Sequence, residues 1–184
     1  MRALTLTATG GIECLKVQDV APPSAPGPGW ALVQVRAAAL NHLDLFVADG
    51  LPGVRPPFPF PVGADGAGTV SAVGAGVTSV RPGDDVLIDP GVSCGTCALC
   101  RAGNEPRCER FGILGEHLPG TMAELVAVPA VNLAPKPPAM PWAQAAAFTL
   151  VTLTAWRMLT TRARLTPGES VLVWGAGGGV AQAA

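Results

Sequence analysis

Charge of either sign is scarce. Charged residues make up 14% of the 184-residue chain and the formal net charge is −1, well below the usual quarter of charged residues. Without a basic excess or stripe, the chain lacks the footprint that phosphate backbones demand, and nucleic acid is not expected as a partner. An apolar share of 49% with so little charge also excludes a disordered chain. The thin charge hints at surface meant to be covered by a partner chain or a further domain. A long hydrophobic run is missing too. The best candidate, residues 139–156, is interrupted by Pro141, Gln144 and three threonines and falls short of about 20 clean apolar residues, so no membrane span is expected. The opening MRALTLTATG carries no apolar run before a small-residue cleavage site, unlike a signal peptide, and a cytoplasmic protein is expected. Tyrosine is absent, and lysine occurs only at Lys16 and Lys136 against ten arginines; this reads as base-composition bias without mechanism.

Glycine and proline are plentiful: 23 and 19 residues respectively. That excess is wrong for a helix bundle and right for short strands joined by tight turns. Residues 2–7 and 12–20 read as a hairpin around Gly10-Gly11. Pro22–Gly29 reads as a linker and Trp30–Leu40 as a strand. Asn41–Ala48 is expected to form one or two helical turns, with Leu43, Phe46 and Val47 on one face. The proline-rich stretch 51–61 is expected to be a surface loop. Strands are expected over Thr69–Val73, Val86–Ile88 and Met122–Val128, and a β-barrel or sandwich is the expected architecture. From Pro141 to about Arg164 the chain is free of Gly and internally free of Pro, and a helix with one break is expected. Glu169–Trp174 then reads as a buried strand, apolar on both faces.

Cys94, Cys97, Cys100 and Cys108 form C-x2-C-x2-C-x7-C within fifteen residues. In a reducing compartment such a cluster points to a metal, not to disulfides. The two-residue spacers turn two thiolates onto one ion, and the loop through Gly103 and Pro106 can swing the fourth around. Four thiolates leave no open position, which defines a structural zinc site. A ferredoxin iron–sulfur pattern would continue x3-C-P; here the last gap is seven and Glu109 follows. A nucleic-acid-binding zinc module is the other rival. Arg101, Arg107 and Arg110 lie nearby, but Glu105 and Glu109 cancel two of them and no aromatic runs through the knuckle. Cys14 lies in a strand pattern and reads as a small buried hydrophobe.

The strand at Glu169–Trp174 runs straight into Gly175-Ala-Gly-Gly-Gly-Val-Ala. A buried strand, a glycine turn and a helix start form the opening of a dinucleotide-binding βαβ unit, because small residues let backbone N–H groups approach a pyrophosphate. The best register puts Gly175, Gly178 and Ala181 at i, i+3 and i+6, with Gly179 and Val180 in the same turn. The residue that selects NAD or NADP lies about 20 residues further on, so both cofactors stay open.

Segments 63–86 (GADGAGTVSAVGAGVTSVRPGDDV), 94–108 (CGTCALCRAGNEPRC) and 166–181 (TPGESVLVWGAGGGVA) together resemble the medium-chain dehydrogenase/reductase superfamily. The resemblance implies a mainly β fold: a GroES-like β-barrel over residues 1–135, with its zinc lobe at 90–112. Connecting helices and the first β-α of a Rossmann NAD(P)-binding domain would follow over 136–184, so the chain would hold about half of its enzyme. A small-molecule substrate and a homo-oligomer are implied as well. Zinc alcohol dehydrogenases of this superfamily place a cysteine where Asn41 stands, a hydroxyl residue where Leu43 stands, and a Gly-His-Glu motif where Gly63-Ala64-Asp65 stands. Their remaining cysteine ligand falls near Leu150. The catalytic zinc ligands are thus replaced while the structural four are kept, which resembles the quinone-oxidoreductase-like branch. The resemblance implies NAD(P)H-dependent hydride transfer with Asn41, His42 and Asp44 at the catalytic place and Thr154 near the nicotinamide. Asn41 and Asp44 also suit a helix cap, and His42 suits a plain surface position.

Overall fold

Ten strands fill residues 2–135: β1 (Arg2–Leu6), β2 (Leu15–Asp19), β3 (Trp30–Ala39), β4 (Phe60–Pro61), β5 (Asp65–Val73), β6 (Asp85–Ile88), β7 (Gly91–Val92), β8 (Gly112–Ile113), β9 (Leu125–Pro129) and β10 (Leu133–Pro135). Helix α1 (His42–Asp49) lies between β3 and β4, and α2 (Ala98–Arg101) lies between β7 and β8. Helices α3 (Trp142–Trp156) and α4 (Gly179–Ala183) follow the strands. The computed structural model describes all residues 1–184.

The strands form sheets of order β2-β1-β4, β10-β6-β5-β3-β9 and β7-β8, with every pairing antiparallel. An Ala3–Ala123 bridge and the Leu4 N–H bond to the Met122 carbonyl join the first two sheets. Period-two burial explains the layer: Ala31 and Val33 of β3, and Val126 and Val128 of β9, point into one core with Val70, Val86, Ile88 and Leu114. A second cluster packs Val47 and Ala48 of α1 against Leu6, Phe60 and Val62. A third is built from small side chains. Ala145 and Ala146 of α3 meet Ala67 and Leu87, which lets the helix lie close on the sheet.

Several expectations need correction. The β1–β2 connection is not a two-residue turn, since a 3-10 turn at Ile12–Cys14 lengthens it and Leu6 pairs with Leu15. Phe46 is exposed, and the buried face of α1 is Asp44, Val47 and Ala48. Phe60–Pro61, expected within a loop, pairs with β1. Strand β5 begins at Asp65, not at Thr69. Its early glycines reflect crowding: a Cβ at Gly68 would collide with the Gln34 carbonyl, and one at Gly66 would lie 2.8 Å from Thr121 Cβ. The long helix changes at Arg157 into a π-helical turn, Arg157–Arg162.

The strand expected at Glu169–Trp174 does not form, and Leu172 and Trp174 are 86% and 91% exposed. A strand needs a neighbour for its backbone groups, and no strand of the chain pairs with this segment. The start of a Rossmann sheet is therefore not visible here. On the outer side of α3, Leu153 and Trp156 are exposed, while Leu150 is half-buried. No helix is long and apolar enough to cross a membrane.

The crowding at β5 is testable. Gly68→Ala should cost about 1–3 kcal/mol in urea denaturation, the range for overpacking. Gly27→Ala, with open space around its Cβ position, should shift stability by no more than about 0.5 kcal/mol.

Candidate functional site

Two groups of side chains have the geometry of chemistry. The first is the lobe between β7 and β8. The spacing C-x2-C-x2-C winds a tight knuckle whose backbone donates to sulfur: Cys97 N–H reaches Cys94 Sγ at 3.3 Å, and Cys100 N–H reaches Cys97 Sγ at 3.4 Å. Cys94 N–H and Arg110 N–H both reach Cys108 Sγ, at 3.4 and 3.3 Å. The four sulfurs lie within 4.8 Å of one another, with 3.8 Å between Cys94 and Cys100 and 3.5 Å between Cys97 and Cys100. A tetrahedral zinc with metal–sulfur distances of about 2.3 Å puts its thiolates about 3.8 Å apart. The donor set and its spacing therefore fit one zinc ion.

The electrostatics agree with that fit. The Thr96 and Cys97 N–H groups pull the Cys94 thiol down to about 5, and burial pushes the Cys100 thiol up to about 11. Four thiolates this close cannot all stay charged without a cation among them, whereas a bound divalent ion deprotonates its thiols outright. Arg101 closes the knuckle by donating to the Thr96 carbonyl at 2.6 Å, and Arg110 donates to Thr96 Oγ1 at 3.2 Å.

The second group surrounds the start of α1. Asn41 is the N-cap residue and Asp44 occupies the third helical position. The Asn41 backbone N–H donates to Asp44 Oδ2 at 2.7 Å, the arrangement of a capping box. The helix-cap alternative for Asn41 and Asp44 is thus realised in the backbone. The Asn41 side chain completes the box at the Asp44 backbone and also reaches a second carboxylate. Its Nδ2 donates to Asp65 Oδ2 at 3.0 Å, and the Leu150 backbone N–H donates to Asp65 Oδ1 at 2.8 Å. Asp65 is 1% exposed. Thr121, fully buried, donates through Oγ1 to the Asp65 carbonyl at 2.7 Å. Asn41, Asp65 and Leu150, far apart in sequence, meet at one place.

Burial raises the Asp65 and Asp44 carboxyls above the ordinary aspartate value, partly offset by these hydrogen bonds. His42 is exposed at the first turn of α1. Thr154 is half-buried on α3, and its hydroxyl donates to the Leu150 carbonyl at 2.7 Å. The glycine turn lies beside α3 as well. Gly175 has φ +79°, Gly178 caps α4, and a Cβ at Gly179 would come within 2.8 Å of Val151. Val180 is half-buried in α4.

Residues 27–138 match the alcohol dehydrogenase GroES-like domain. The chain belongs to that family. It is thereby a GroES-like part of the medium-chain dehydrogenase/reductase superfamily, as the three quoted segments implied. The chain is 37% identical to the human synaptic vesicle membrane protein VAT-1 homolog over its whole length, which covers 40% of that protein. It is 36% identical to the acryloyl-coenzyme A reductase of Metallosphaera sedula, covering 92% of this chain and 49% of that one. A crystal structure of an NAD-dependent alcohol dehydrogenase superposes with a TM-score of 0.95 at 49% identity, covering all of this chain and 53% of that one. The chain thus spans about half the length of these relatives.

Within this GroES-like domain the sequence exposed the cysteine lobe fully but gave less of the second group. Asp65 was visible as part of a motif, yet its bonds to Asn41 and to the Leu150 N–H were not, because both are contacts across long loops. Thr121 carried no signal beyond its residue type.

One zinc per chain is expected by metal analysis after gel filtration. Cys97→Ser should lose it and make residues 90–112 protease-sensitive, since metal binding and local folding are linked. Cys14→Ser should keep zinc. A second expectation concerns pH. A carboxyl whose folded pKa exceeds its unfolded value binds more protons folded than unfolded between the two values. Its contribution to stability therefore weakens as pH rises from 3.8 through that window. Asp44→Asn, which keeps an acceptor for the cap but no charge, should gain stability relative to the parent as pH rises there. Paired urea titrations at each pH check the sign.

Proposed function

We propose that this chain is the GroES-like part, over residues 1–135, of an NAD(P)H-dependent oxidoreductase. The reaction is hydride transfer to or from a small carbonyl, enone or quinone. Residues 136–184 lead from that part into a Rossmann NAD(P)-binding domain. Zinc is structural, held by Cys94, Cys97, Cys100 and Cys108, and the usual catalytic zinc is replaced by organic hydrogen bonding. A cytoplasmic homo-oligomer acting on small molecules goes with this reading.

One observation carries it. By the resemblance, the cysteine and histidine of zinc alcohol dehydrogenases fall at Asn41 and Ala64 and their remaining cysteine near Leu150, and in the structure the Asp65 carboxylate accepts from both Asn41 Nδ2 and the Leu150 N–H. An amide, a methyl and an isobutyl group do not make a zinc site. The similarity to an acryloyl-coenzyme A reductase, named for an activated double bond, favours the same chemistry. The similarity to an NAD-dependent alcohol dehydrogenase supports a nicotinamide cofactor.

The nicotinamide supplies or accepts the hydride when bound. Charge building on the substrate oxygen must then be met by hydrogen-bond donors. Asn41 is assigned the orientation of the cofactor carboxamide or the substrate. His42, exposed at the helix start, serves as a contact or donor, and Asp44 holds the turn. Thr154, Gly175, Gly178, Gly179 and Val180 are assigned to the cofactor. The packing of α4 on α3, which brings the glycine turn alongside the helix bearing Thr154, supports this.

In a version of the protein carrying the complete cofactor domain, NAD(P)H-dependent enone or quinone reduction is expected to survive a chelator that strips only accessible metal. Asn41→Ala should lower kcat by about 10²-fold, the lower end of a positioned-group effect, with a smaller change in stability. Rapid loss of turnover on chelation with the fold intact, or two zinc ions per chain, would favour a zinc-dependent alcohol dehydrogenase with atypical ligands instead.

A further inference from the structure

Asp65 is used twice and seen by little else. Its Oδ1 is taken by the Leu150 N–H of α3, and its Oδ2 is taken by Asn41 Nδ2. The Thr121 hydroxyl ties down its carbonyl, and the close approach of Gly66 to Thr121 fixes that side of the strand. A carboxylate with every neighbour so placed cannot swing. In its ionised form, which the Asn41 and Leu150 hydrogen bonds both favour, it is an acceptor only, and that sets how Asn41 must face it. A side-chain amide has a donating and an accepting end, and which end faces a given direction follows from its hydrogen-bond network. Against a fixed carboxylate only one orientation is favourable: nitrogen toward Asp65.

We infer that Asp65 is a positioning residue that locks the flip of the Asn41 amide, so that Asn41 meets a ligand with its second Nδ2 hydrogen, as a donor to a carbonyl oxygen. The inference rests on the oxidoreductase reading for the identity of the ligand, but not for the lock itself. It narrows the ligand chemistry: ketone, enone, quinone or carboxamide oxygen is favoured beside Asn41, and a group that can only donate is disfavoured. It also makes α3 a member of the lock, because the Leu150 N–H holds the far oxygen of the same carboxylate.

Nuclear magnetic resonance on the zinc-loaded 184-residue chain tests this without turnover. In the parent, the Asn41 Nδ2 hydrogen facing Asp65 should exchange about tenfold or more slowly than those of Asn104, with the Leu150 amide protected alongside it. Asp65→Asn supplies one acceptor for two donors. It should abolish the slow exchange at Asn41 or Leu150 while the amides of Val33 and Val126 keep their protection. Asp65→Glu should restore it in part. If Asp65→Asn does not fold, the parent measurement alone decides: fast exchange at Asn41 Nδ2 overturns the lock. So does slow exchange that Asp65→Asn leaves unchanged in a folded chain. Cyclohexenone, with and without nicotinamide cofactor, is then titrated into a version carrying the complete cofactor domain. A shift of the second Asn41 Nδ2 hydrogen, lost in Asp65→Asn, supports the donor role. A lock that is present but blind to cyclohexenone and nicotinamide alike counts against the oxidoreductase reading, and the positioning of Asn41 by Asp65 stands.

Discussion

A buried carboxylate whose two oxygens bond to an amide and a backbone N–H ties the separate parts of this chain to one point. Asp65 opens β5, reaches the cap residue of α1 through Asn41, and reaches the middle of α3 through Leu150. Burying such a charge is unfavourable unless its lone pairs are satisfied. The hydrogen bonds that satisfy it also fix the angle at which α1 and α3 leave the sheet. The small residues around it serve the same end. Gly66 and Gly68 let β5 approach Thr121 and Gln34, and Ala67, Ala145 and Ala146 let α3 come near enough for its Leu150 N–H to reach the carboxylate. A larger side chain at any of these places would separate the donors from their acceptor.

The cysteine lobe solves a different problem. Residues 90–112 contribute few side chains to the main core: Val92 is buried there, and Cys100 and Cys108 are buried within the lobe. Packing alone gives such a segment little reason to hold one shape. The N–H···S bonds preform the knuckle, but they favour charged sulfur, and four charged sulfurs repel. The divalent ion that their geometry fits would remove that repulsion. A metal held there would stabilise a region separate from the sheet, joined to it through the β7–β8 pair.

What the sequence made legible follows from the range of each interaction. Period-two burial and turn residues are local, so the strands at 30–40, 86–88 and 122–128 and the helix at 41–48 were readable to within a few residues. The gathering of the four cysteines was readable because they lie close in sequence at a spacing a zinc site would demand. Glycine misled in one place. Between Gly63 and Gly68 it kept the expected strand from starting before Thr69, whereas Gly66 and Gly68 lie within β5 so that two backbones and a threonine can crowd together. Phe60–Pro61 misled for the opposite reason, since proline suits an edge position beside β1 as well as a loop. The Asn41–Asp65–Leu150 group depends on contacts spanning 24 and 85 residues. Only resemblance to a family suggested that these positions meet.

The segment Val171–Trp174 shows the limit of pattern. Its run of apolar residues is that of a strand buried on both faces, yet Leu172 and Trp174 lie in solvent and no strand of the chain pairs with them. Hydrophobic pattern states what a segment requires, whereas secondary structure appears only when a neighbour answers the requirement. Helix α3 makes the contrast within one element. Its inner face finds Ala67 and Leu87 and is buried, while Leu153 and Trp156 on its outer side find nothing and stay exposed. Both exposures are apolar, and they follow one another along the same stretch of chain. Each leaves apolar side chains in water, a composition that suits a packed interface better than solvent. The glycine turn that follows is held against α3 at Val151. Thr154, assigned to the cofactor, thus sits on the same helix that carries the unanswered apolar side and the Leu150 N–H of the Asp65 lock, with the glycine turn packed against it.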